Sequence, residues 1–338
     1  MDQELLRQAS KNVADIIALS IEHHPEKSER ALVVYDTQNG LTDILCAAYR
    51  AALPHAHFVD FDTVEKGAII ALLNELHPND LVVLIQSSNF RLDDFRIRLF
   101  LFQKGLKVIE HMHLYRNTPD VWDVYVNTLA YDPAWYRDVG PKLKEKLESA
   151  NELRIEAGDS ILTVQGGVET PKLNIGDYAD MENIGGTFPI GEVFTESKDF
   201  AQMNGSVMIY AFAGADFNIN MHKPFRVEIK EGQVVSWEAG APESFVNIVN
   251  LIKEYERPLI REIGFGLNRA ITRERYLQDI TAFERILGMH LSMGEKHSVY
   301  KKAGITTHKT KFHVDLFPVV DRALLDGKLI FEGGKYLL

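Results

Sequence analysis

The chain has 338 residues, of which 46% are hydrophobic and 25% are charged, as in a globular protein with a sizeable core. Its formal net charge of −11 argues against a nucleic-acid or membrane partner, because both kinds of partner attract a basic surface. Cys46 is the only cysteine, so neither an intramolecular disulfide nor a cysteine-based zinc site can form. The sequence shows no signal-peptide pattern and no apolar run of membrane-spanning length, which together predict a cytoplasmic protein.

The first half of the chain has the pattern of strands alternating with helices. It begins with an amphipathic helix, whose apolar residues recur at helical spacing between Leu5 and Leu19. Short runs rich in β-branched residues then alternate with helical stretches, which is typical of a parallel sheet buried on both faces. The stretch after the first strand, DTQNG, is not GxGxxG, so a dinucleotide site is unsupported. The predicted strands are 31–36, 57–62, 80–86 and 106–112, and the predicted helices are 41–52, 64–76 and 93–104.

The texture of the sequence changes near residue 150, after a charged helix that begins near residue 141. Beyond it, glycines interrupt short β runs, and residues 230–233 predict a hairpin turn between two strands. A strand is predicted at 261–268, between helices at 242–256 and 273–286. We therefore predict an α/β N-terminal domain with a parallel sheet, residues 1–150, and an α+β C-terminal domain, residues 151–338.

One candidate for chemistry is the sequence FHVDL near the C-terminus. In a strand, the side chains of His313 and Asp315 would share one face, because alternate residues point the same way. An imidazole and a carboxylate that project together from a rigid strand can provide two ligands of a metal site. The same spacing also suits the exposed polar face of an edge strand, which is the commoner origin of so short a motif.

A second candidate is the group of histidines between residues 290 and 313. His290 lies in the run GMHLSMG, and His297 and His308 follow it before His313. This local enrichment favours a metal site. A histidine among apolar residues is also typical of a hydrogen-bonded core position, and that interpretation stays open for His290.

Two glutamates complete the set of candidate ligands. Glu262 enters the strand-like run REIGFGLN, whose glycines permit another segment to approach closely. Its alternative role is a salt bridge with Arg261 or Arg269. Glu192 follows a loop rich in glycine and proline, and its alternative is a solvated position in an ordinary turn. Carboxylates mixed with imidazoles suit zinc, manganese, cobalt or iron, so the C-terminal domain is predicted to bind metal.

In chain order, the motifs GEVFT, EIGFG, His290 before Gly294, and HVD resemble the thermophilic metallo-aminopeptidase family, which includes aminopeptidases T, S and II. The resemblance covers residues 155–338 and continues through the closing run DRALLDGKLIFEGGKYL. It implies a hydrolase that removes N-terminal residues from peptides with two divalent metal ions, which would be Zn, Co, Mn or Mg. It also implies a homodimer.

The resemblance assigns roles to individual residues. Glu284 matches a further glutamate of the family, and either Glu192 or Glu284 would act as the general base. The family has a tyrosine ligand seven residues after the strand histidine, whereas this chain has His297 there and its nearest tyrosine at Tyr300. We retain His297 as a candidate ligand. The positions that match the family's metal ligands are Glu192, Glu262 (which would bridge the two ions), His290, His313 and Asp315.

A second group with the same fold provides an alternative function. The ring-opening 2,5-dihydroxypyridine dioxygenases bind one Fe(II), and this chain resembles them in its His-x-Asp motif. Those enzymes have a histidine at the position of Glu262 and lack the glutamate of the first motif. Because this sequence has both Glu192 and Glu262, we favour the hydrolase. A catalytically degenerate scaffold with a vestigial metal site is a third alternative.

Overall fold

The computed structural model describes residues 2–92, 96–178, 181–297, 299–305 and 309–338, and the predicted candidate His308 lies outside them. The chain forms two compact units. The predicted boundary near residue 150 stays a prediction; the chain enters the second unit at residue 138 and returns to the first unit twice. The first unit consists of Met1–Arg137, Gly176–Ile190 and Ala270–Ala282, and the second of Asp138–Ile175, Gly191–Arg269 and Phe283–Leu338.

The first two α-helices begin at residues that cap their free backbone N–H groups. Asp2 accepts hydrogen bonds from the backbone of Glu4 and Leu5, and Asn39 accepts one from Leu41. Within the described ranges, no helix combines the length and apolar character needed to cross a membrane. The helices are α1 Gln3–Asp15, α2 Gly40–Ala52, α3 Lys66–Asn74, α4 Ile97–Gln103, α5 Trp122–Thr128, α6 Pro133–Ser149, α7 Glu243–Tyr255 and α8 Ile280–Phe283.

The strands form two sheets, one in each unit. They are β1 Ala31–Tyr35, β2 His57–Asp60, β3 Leu81–Ile85, β4 Lys107–His111, β5 Glu152–Ala157, β6 Ser160–Gln165, β7 Lys172–Asn174, β8 Gly185–Phe188, β9 Glu192–Thr195, β10 Met203–Ala213, β11 Ile219–Lys230, β12 Gln233–Trp237, β13 Ile260–Gly266, β14 Gly288–Met293, β15 Val314–Pro318, β16 Arg322–Leu325, β17 Lys328–Glu332 and β18 Lys335–Tyr336.

The sheet of the first unit is parallel, with the strand order β2-β1-β3-β4-β8 in the described residues. Every residue of β3 and β4 is buried, as expected where both faces of a parallel sheet are covered. The strands predicted from the first half of the chain are confirmed. Strand β8 lies in the segment before Glu192 that the sequence predicts as a loop rich in glycine and proline. It can pair with β4 because Gly185 lacks a Cβ, which would lie 1.9 Å from Val108 O.

The sheet of the second unit is antiparallel and has thirteen strands in the described residues. Its main path runs β18-β17-β16-β5-β6-β10-β15-β14-β13-β9-β7, and β11 pairs with both β10 and β12. The predicted fold class is thus confirmed: an α/β unit with a parallel sheet and an α+β unit. Strands β9, β13, β14 and β15 are neighbours near one end of the path, and they carry most of the candidate ligands.

The predicted hairpin in the second unit is confirmed, and one predicted helix is wrong. Glu231 and Gly232 join β11 to β12 with φ angles of 50° and 72°, the left-handed pair that a two-residue turn requires. The stretch 273–286 was predicted as a helix, but only α8 is helical there. Thr272 N instead donates to Arg275 O at 2.9 Å, which makes a turn in place of the first part of the helix.

Candidate metal centre

The candidate site is built on β13, whose seven residues are all buried. Strands β9 and β14 pair with β13 in antiparallel register, and β15 pairs with β14. Side chains alternate between the two faces of a strand, so Glu262 shares a face with positions 264 and 266. The other face carries Arg261, whose guanidinium pairs with Glu196. The ion pair between Arg261 and Glu262 that the sequence left open is therefore not formed.

The strand register continues the face of Glu262 across the sheet. Ser292 of β14 lies opposite Glu262, and Asp315 of β15 lies opposite Ser292. Residues in such direct cross-strand pairs project from the same side of a sheet. The pairing therefore places two carboxylates in one row with a hydroxyl between them.

Two further cross-strand rows on the same face lie beside the first. His290 is opposite Gly264, and Glu192 is opposite Gly266. A Cβ on Gly264 would come within 2.0 Å of His290 Cε1 and 2.3 Å of His290 Nε2. Glycine at position 264 therefore leaves the space in which the imidazole lies over β13.

The remaining candidate residues lie in the connections between these strands. Glu284 follows α8 and precedes β14, His297 follows β14, and His313 directly precedes β15. All of the predicted site residues are in the second unit. The position of each residue in the chain determines which strand it lies in or next to. The pairing register of the strands then brings these residues close together.

Three overlapping groups of side chains present ligand atoms that lie within 4.8 Å of one another. We name two of them by their histidines, the His290 triad and the His313 triad. Glu262 belongs to both, so a single carboxylate is placed between two potential metal positions. The groups are Glu192, Glu262 and His290 (the His290 triad), Glu262, His313 and Asp315 (the His313 triad), and Glu284, His290 and Asp315.

The distances inside the triads are those of groups in direct electrostatic contact. His290 Nε2 lies 3.3 Å from Glu192 Oε1 and 3.3 Å from Glu262 Oε1. His313 Nε2 lies 3.3 Å from Asp315 Oδ1. In each triad the imidazole turns its Nε2 atom towards the carboxylates, the orientation in which imidazole and carboxylates can share a metal ion.

Groups outside the triads orient the ligands of the His313 triad. Ser292 Oγ donates a hydrogen bond to Asp315 Oδ1 at 2.5 Å. His313 Nδ1 lies 3.2 Å from Lys296 O, to which it donates. A histidine whose Nδ1–H is held by a carbonyl oxygen keeps Nε2 for a metal, as metal-binding histidines usually do.

A buried arginine contacts the His290 triad. Arg285 Nη1 donates to Glu192 Oε2, and it also lies 2.8 Å from Glu284 Oε1. The guanidinium and Glu192 are buried and Glu284 is partly buried, so each partner reduces the cost of burying the other's charge. Glu192 thereby has one oxygen engaged by a cation of the chain itself and one oxygen directed at His290.

His297 directs its Nε2 atom at Glu262. Its Nδ1 accepts the backbone N–H of Val299 at 3.1 Å, so in the neutral ring the proton is on Nε2. That Nε2 lies 2.9 Å from Glu262 Oε2. This pattern favours a role in orienting Glu262 over the predicted role of metal ligand, because a protonated ring nitrogen has no lone pair for a metal.

The segment that carries His297 is tied to β13 by Arg261. Its Nη1 donates to Glu295 O at 2.7 Å and its Nη2 donates to Tyr300 O at 3.0 Å, on either side of His297. Arg261 and its partner Glu196 are both fully buried. The buried ion pair on the far face of β13 thus positions a residue that contacts Glu262 on the near face.

Two glutamates of the cluster, Glu284 and Glu262, have pKa values shifted in opposite directions. Burial raises the pKa of Glu284 to about 8, although the charge of Arg285 acts to lower it. Burial also raises the pKa of Glu262, but hydrogen bonds from His290 and His297 outweigh it and hold that pKa far below its usual range. Environments that separate the pKa values of neighbouring groups are typical of acid–base chemistry.

Neighbouring carboxylates favour the protonated form of both imidazoles of the triads in the metal-free cluster. Burial lowers the pKa of His290, yet the hydrogen bond with Glu262 and the charge of Glu192 raise it to about 9. Burial likewise lowers the pKa of His313, and Asp315 raises it to about 10. These protons neutralise the carboxylates, and a divalent ion that replaced them would serve the same purpose.

The residues present fit divalent metal ions. Carboxylate and imidazole donors suit zinc, manganese, cobalt and iron. In the described part of the cluster, four buried atoms have no hydrogen-bond partner: Glu192 Oε1, Arg285 Nε, His290 Nδ1 and His297 Nε2. A buried carboxylate oxygen left in this condition is costly, and an ion in the His290 triad would remove that cost for Glu192.

The sequence did not predict the roles of Ser292 and Arg285. It also did not predict the hydrogen bonds that Arg261 donates to the segment around His297. Ser292 and Arg285 lie beside predicted residues in the chain, but their partners come from other strands. Alternation along β14 could have placed Ser292 on the face of His290, since the two are separated by two positions. Nothing in the local sequence of Arg285 indicates which carboxylates it meets.

The fold is shared with solved structures of two other proteins. A 2,5-dihydroxypyridine dioxygenase from Pseudomonas putida KT2440 superposes with a TM-score of 0.66 at 16% sequence identity, over 98% of this chain and 97% of that one. Wild-type AmpT from Thermus thermophilus superposes with a TM-score of 0.61 at 11% identity, over 98% of this chain and 99% of that one. At these identities the likeness establishes the fold. No protein-family model matches the chain, and no curated protein matches its sequence.

Proposed function

We propose that the chain is a metal-dependent aminopeptidase that removes N-terminal residues from peptides. The observation that supports this most is the place of Glu262 in both the His290 triad and the His313 triad. Each triad adds one imidazole and one further carboxylate to the shared glutamate. One carboxylate shared between two ligand sets is the arrangement expected of a two-metal hydrolytic site.

The two triads would hold the ions, and the rest of the cluster would act on the substrate. When bound, the two divalent ions supply a water of lowered pKa and stabilise negative charge on the attacked carbonyl oxygen. The carboxylates of the cluster attract the cationic α-amino group of a peptide. Recognition of that group would restrict cleavage to the first residue.

Glu284 is the general base of this proposal. Its Oε1 lies 2.8 Å from Arg285 Nη1, so its Oε2 remains to accept a proton from the attacking water. Burial raises its pKa to about 8, which suits proton exchange near neutral pH. Glu192 is the other candidate base from the sequence. With Oε2 engaged by Arg285, it is better suited to hold an ion through Oε1.

The test is the near-isosteric change Glu262→Gln. We expect the wild-type chain to bind two ions and to hydrolyse aminoacyl p-nitroanilides with Zn²⁺, Co²⁺, Mn²⁺ or Mg²⁺. In the variant we expect both metal binding and activity to fall by about 100-fold or more, because the shared ligand is lost. Elemental analysis and the rate of nitroaniline release measure the two effects. Glu238→Gln, which alters an exposed glutamate of the same unit, is the matched control.

Full activity and unchanged metal content in Glu262→Gln would remove the basis of this proposal. The absence of aminopeptidase activity with every metal in the wild-type chain would do the same. In the latter case, retained metal would point to a different reaction at the same cluster.

The second candidate function is a ring-cleaving dioxygenase with one Fe(II). The observation in its favour is the fold shared with the 2,5-dihydroxypyridine dioxygenase, together with the adjacent imidazole and carboxylate of His313 and Asp315. Against it, the third ligand of that triad is Glu262, a carboxylate, where the sequence resemblance calls for a histidine. Anaerobic purification with one iron per chain, and consumption of oxygen with a dihydroxypyridine, would favour this candidate. A chain that binds no metal would be the degenerate scaffold.

A homodimer remains a prediction that rests on the family resemblance. Light scattering of the purified chain measures it directly. A particle of twice the chain mass is expected, and a particle of one chain mass would contradict it.

A further inference from the structure

We propose that the two metal positions of the cluster differ in affinity. The His313 triad would bind its ion tightly, and the His290 triad would bind its ion weakly. This inference rests on the proposed two-metal function and concerns how the same site is filled. It follows from the groups that surround each triad. Their contacts differ in two independent ways.

The first difference is the support given to each histidine. His313 Nδ1 donates to Lys296 O at 3.2 Å, and Ser292 donates to Asp315 at 2.5 Å, so this triad has partners that orient its ligands. His290 Nδ1 has no hydrogen-bond partner among the described residues, although it is fully buried. Outer partners of this kind typically change metal affinity by about 10- to 100-fold.

The second difference is a fixed positive charge. Arg285 Nη1 donates to Glu192, a ligand of the His290 triad, whereas among the described residues no arginine or lysine forms an ion pair with Asp315, whose ion-pair partner is His313. A divalent ion in the His290 triad must therefore share Glu192 with the guanidinium and sit near its charge. Coulomb repulsion in a buried site is weakly screened. It therefore lowers the affinity of the His290 triad for an ion more than that of the His313 triad.

Arg285 is in consequence a positioning residue that sets the order of filling. Its bonds to Glu192 and Glu284 hold both carboxylates in place when only the His313 triad is occupied. The chain would then carry one ion at low metal concentration and become complete only when metal is abundant. The second ion would act as a switch that depends on metal supply.

The experiment is a titration of the metal-free full chain with Mn²⁺ alone, followed by calorimetry and by elemental analysis after gel filtration. We expect one ion to survive gel filtration and a second to bind only in excess, with dissociation constants at least about tenfold apart. Two ions of equal affinity, or one ion even in excess, would overturn the inference.

Two histidine variants assign the ions to the triads without altering Arg285. His313→Ala should lose the tight ion, and His290→Ala should lose the weak ion and keep the tight one. The reverse assignment would overturn the inference. Melting temperatures of both variants, measured without metal, show whether each chain is folded before the titration is interpreted.

The role of the charge is tested by Arg285→Met beside Arg285→Lys. In the methionine variant, the dissociation constant of the second ion should fall by at least about tenfold, and that of the first ion should stay within about threefold of the wild-type value. The lysine variant should keep the wild-type difference between the two constants. An unchanged gap in a folded methionine variant would contradict the role of Arg285. Should that variant not fold, the histidine variants still decide the order of filling.

The outcomes separate this inference from the proposed function. A wild-type chain that binds no ion would contradict both. Two equal ions with aminopeptidase activity would contradict only the inference. Unequal ions in the predicted order without aminopeptidase activity would support the inference and contradict the proposed function.

Discussion

Gly264 is the residue whose missing side chain makes room for the cluster. Replacing it with alanine puts a Cβ 2.0 Å from His290 Cε1, so the imidazole must move. We expect Gly264→Ala to weaken the ion of the His290 triad by at least about tenfold. We also expect it to lower the free energy of unfolding by about 1–3 kcal/mol, as overpacking of a core does. Calorimetric metal titration and urea unfolding measure the two effects.

The control for this change is Gly67→Ala in α3, where an added Cβ meets nothing within 4 Å. It should leave metal binding unchanged and raise stability by up to about 1 kcal/mol, because alanine favours a helix more than glycine does. Equal metal affinity in Gly264→Ala and the wild-type chain would show that the ring of His290 does not need that space.

For single residues, the sequence predicted well which candidate side chains lie close together. It predicted less well which of them are metal ligands and which orient other residues. Alternation along a strand was enough to pair His313 with Asp315, and glycines near Glu262 indicated close approach of another segment. The position of Arg285 against Glu192 depends on the register of β9 with β13 and on α8, which local sequence does not encode. The proton on the His297 Nε2 atom that contacts Glu262 is set by the backbone N–H of Val299, which donates to Nδ1, and no sequence motif indicates this hydrogen bond.

At the element scale, β4 ends in a buried hydrogen-bond chain that predicts acid sensitivity. His111 Nε2 lies 2.8 Å from Tyr49 OH and its Nδ1 lies 2.9 Å from Tyr125 OH, so one tyrosine donates and the other accepts. Burial lowers the pKa of His111 to about 3. The folded state therefore keeps this ring neutral, whereas the unfolded state binds a proton below about pH 6.5.

Because the unfolded state binds more protons than the folded state, the free energy of unfolding falls as pH falls from about 6.5 towards 3. The slope from this group approaches about 1.4 kcal/mol per pH unit. We expect His111→Gln to be less stable at pH 7 and to lose this part of the slope between pH 6 and 5, as measured by urea unfolding. His55→Gln, which changes an exposed histidine of the same unit, should keep the wild-type slope. Parallel slopes for wild type and His111→Gln would contradict the prediction.

A predicted helix or strand was confirmed where burial of its own apolar residues determines the structure. It was missed or wrong where contacts with residues distant in the chain determine it. Strands β1, β3 and β4 were predicted because their apolar runs face a covered sheet on both sides. Strand β8 was missed because a glycine-rich segment carries little apolar signal, and its pairing depends on β4. The helix predicted over 273–286 was wrong because Arg275 makes a turn with Thr272 and an ion pair with Asp123. Contacts made within the folded unit outweighed local helical spacing.

At the scale of the whole molecule, the sequence predicted the fold class but not the path of the chain. A parallel and an antiparallel sheet are both present, as the sequence predicted, but β8 of the parallel sheet lies beyond residue 150. The return of Gly176–Ile190 and Ala270–Ala282 to the first unit has no compositional signature, because each is a short segment inside a longer stretch of the second unit. The fold is shared with two proteins at 11% and 16% identity, so a similar path is compatible with very different sequences.

In the proposed function, Glu262 is shared by two divalent ions, one in the His290 triad and one in the His313 triad. Crystals of the full chain soaked in excess Zn²⁺ and measured at the zinc absorption edge test it most directly. We expect two anomalous peaks, one on each side of the Glu262 carboxylate and each about 2 Å from its triad's ligand atoms. No peak within the cluster, or a peak that leaves Glu262 uncoordinated, would contradict it.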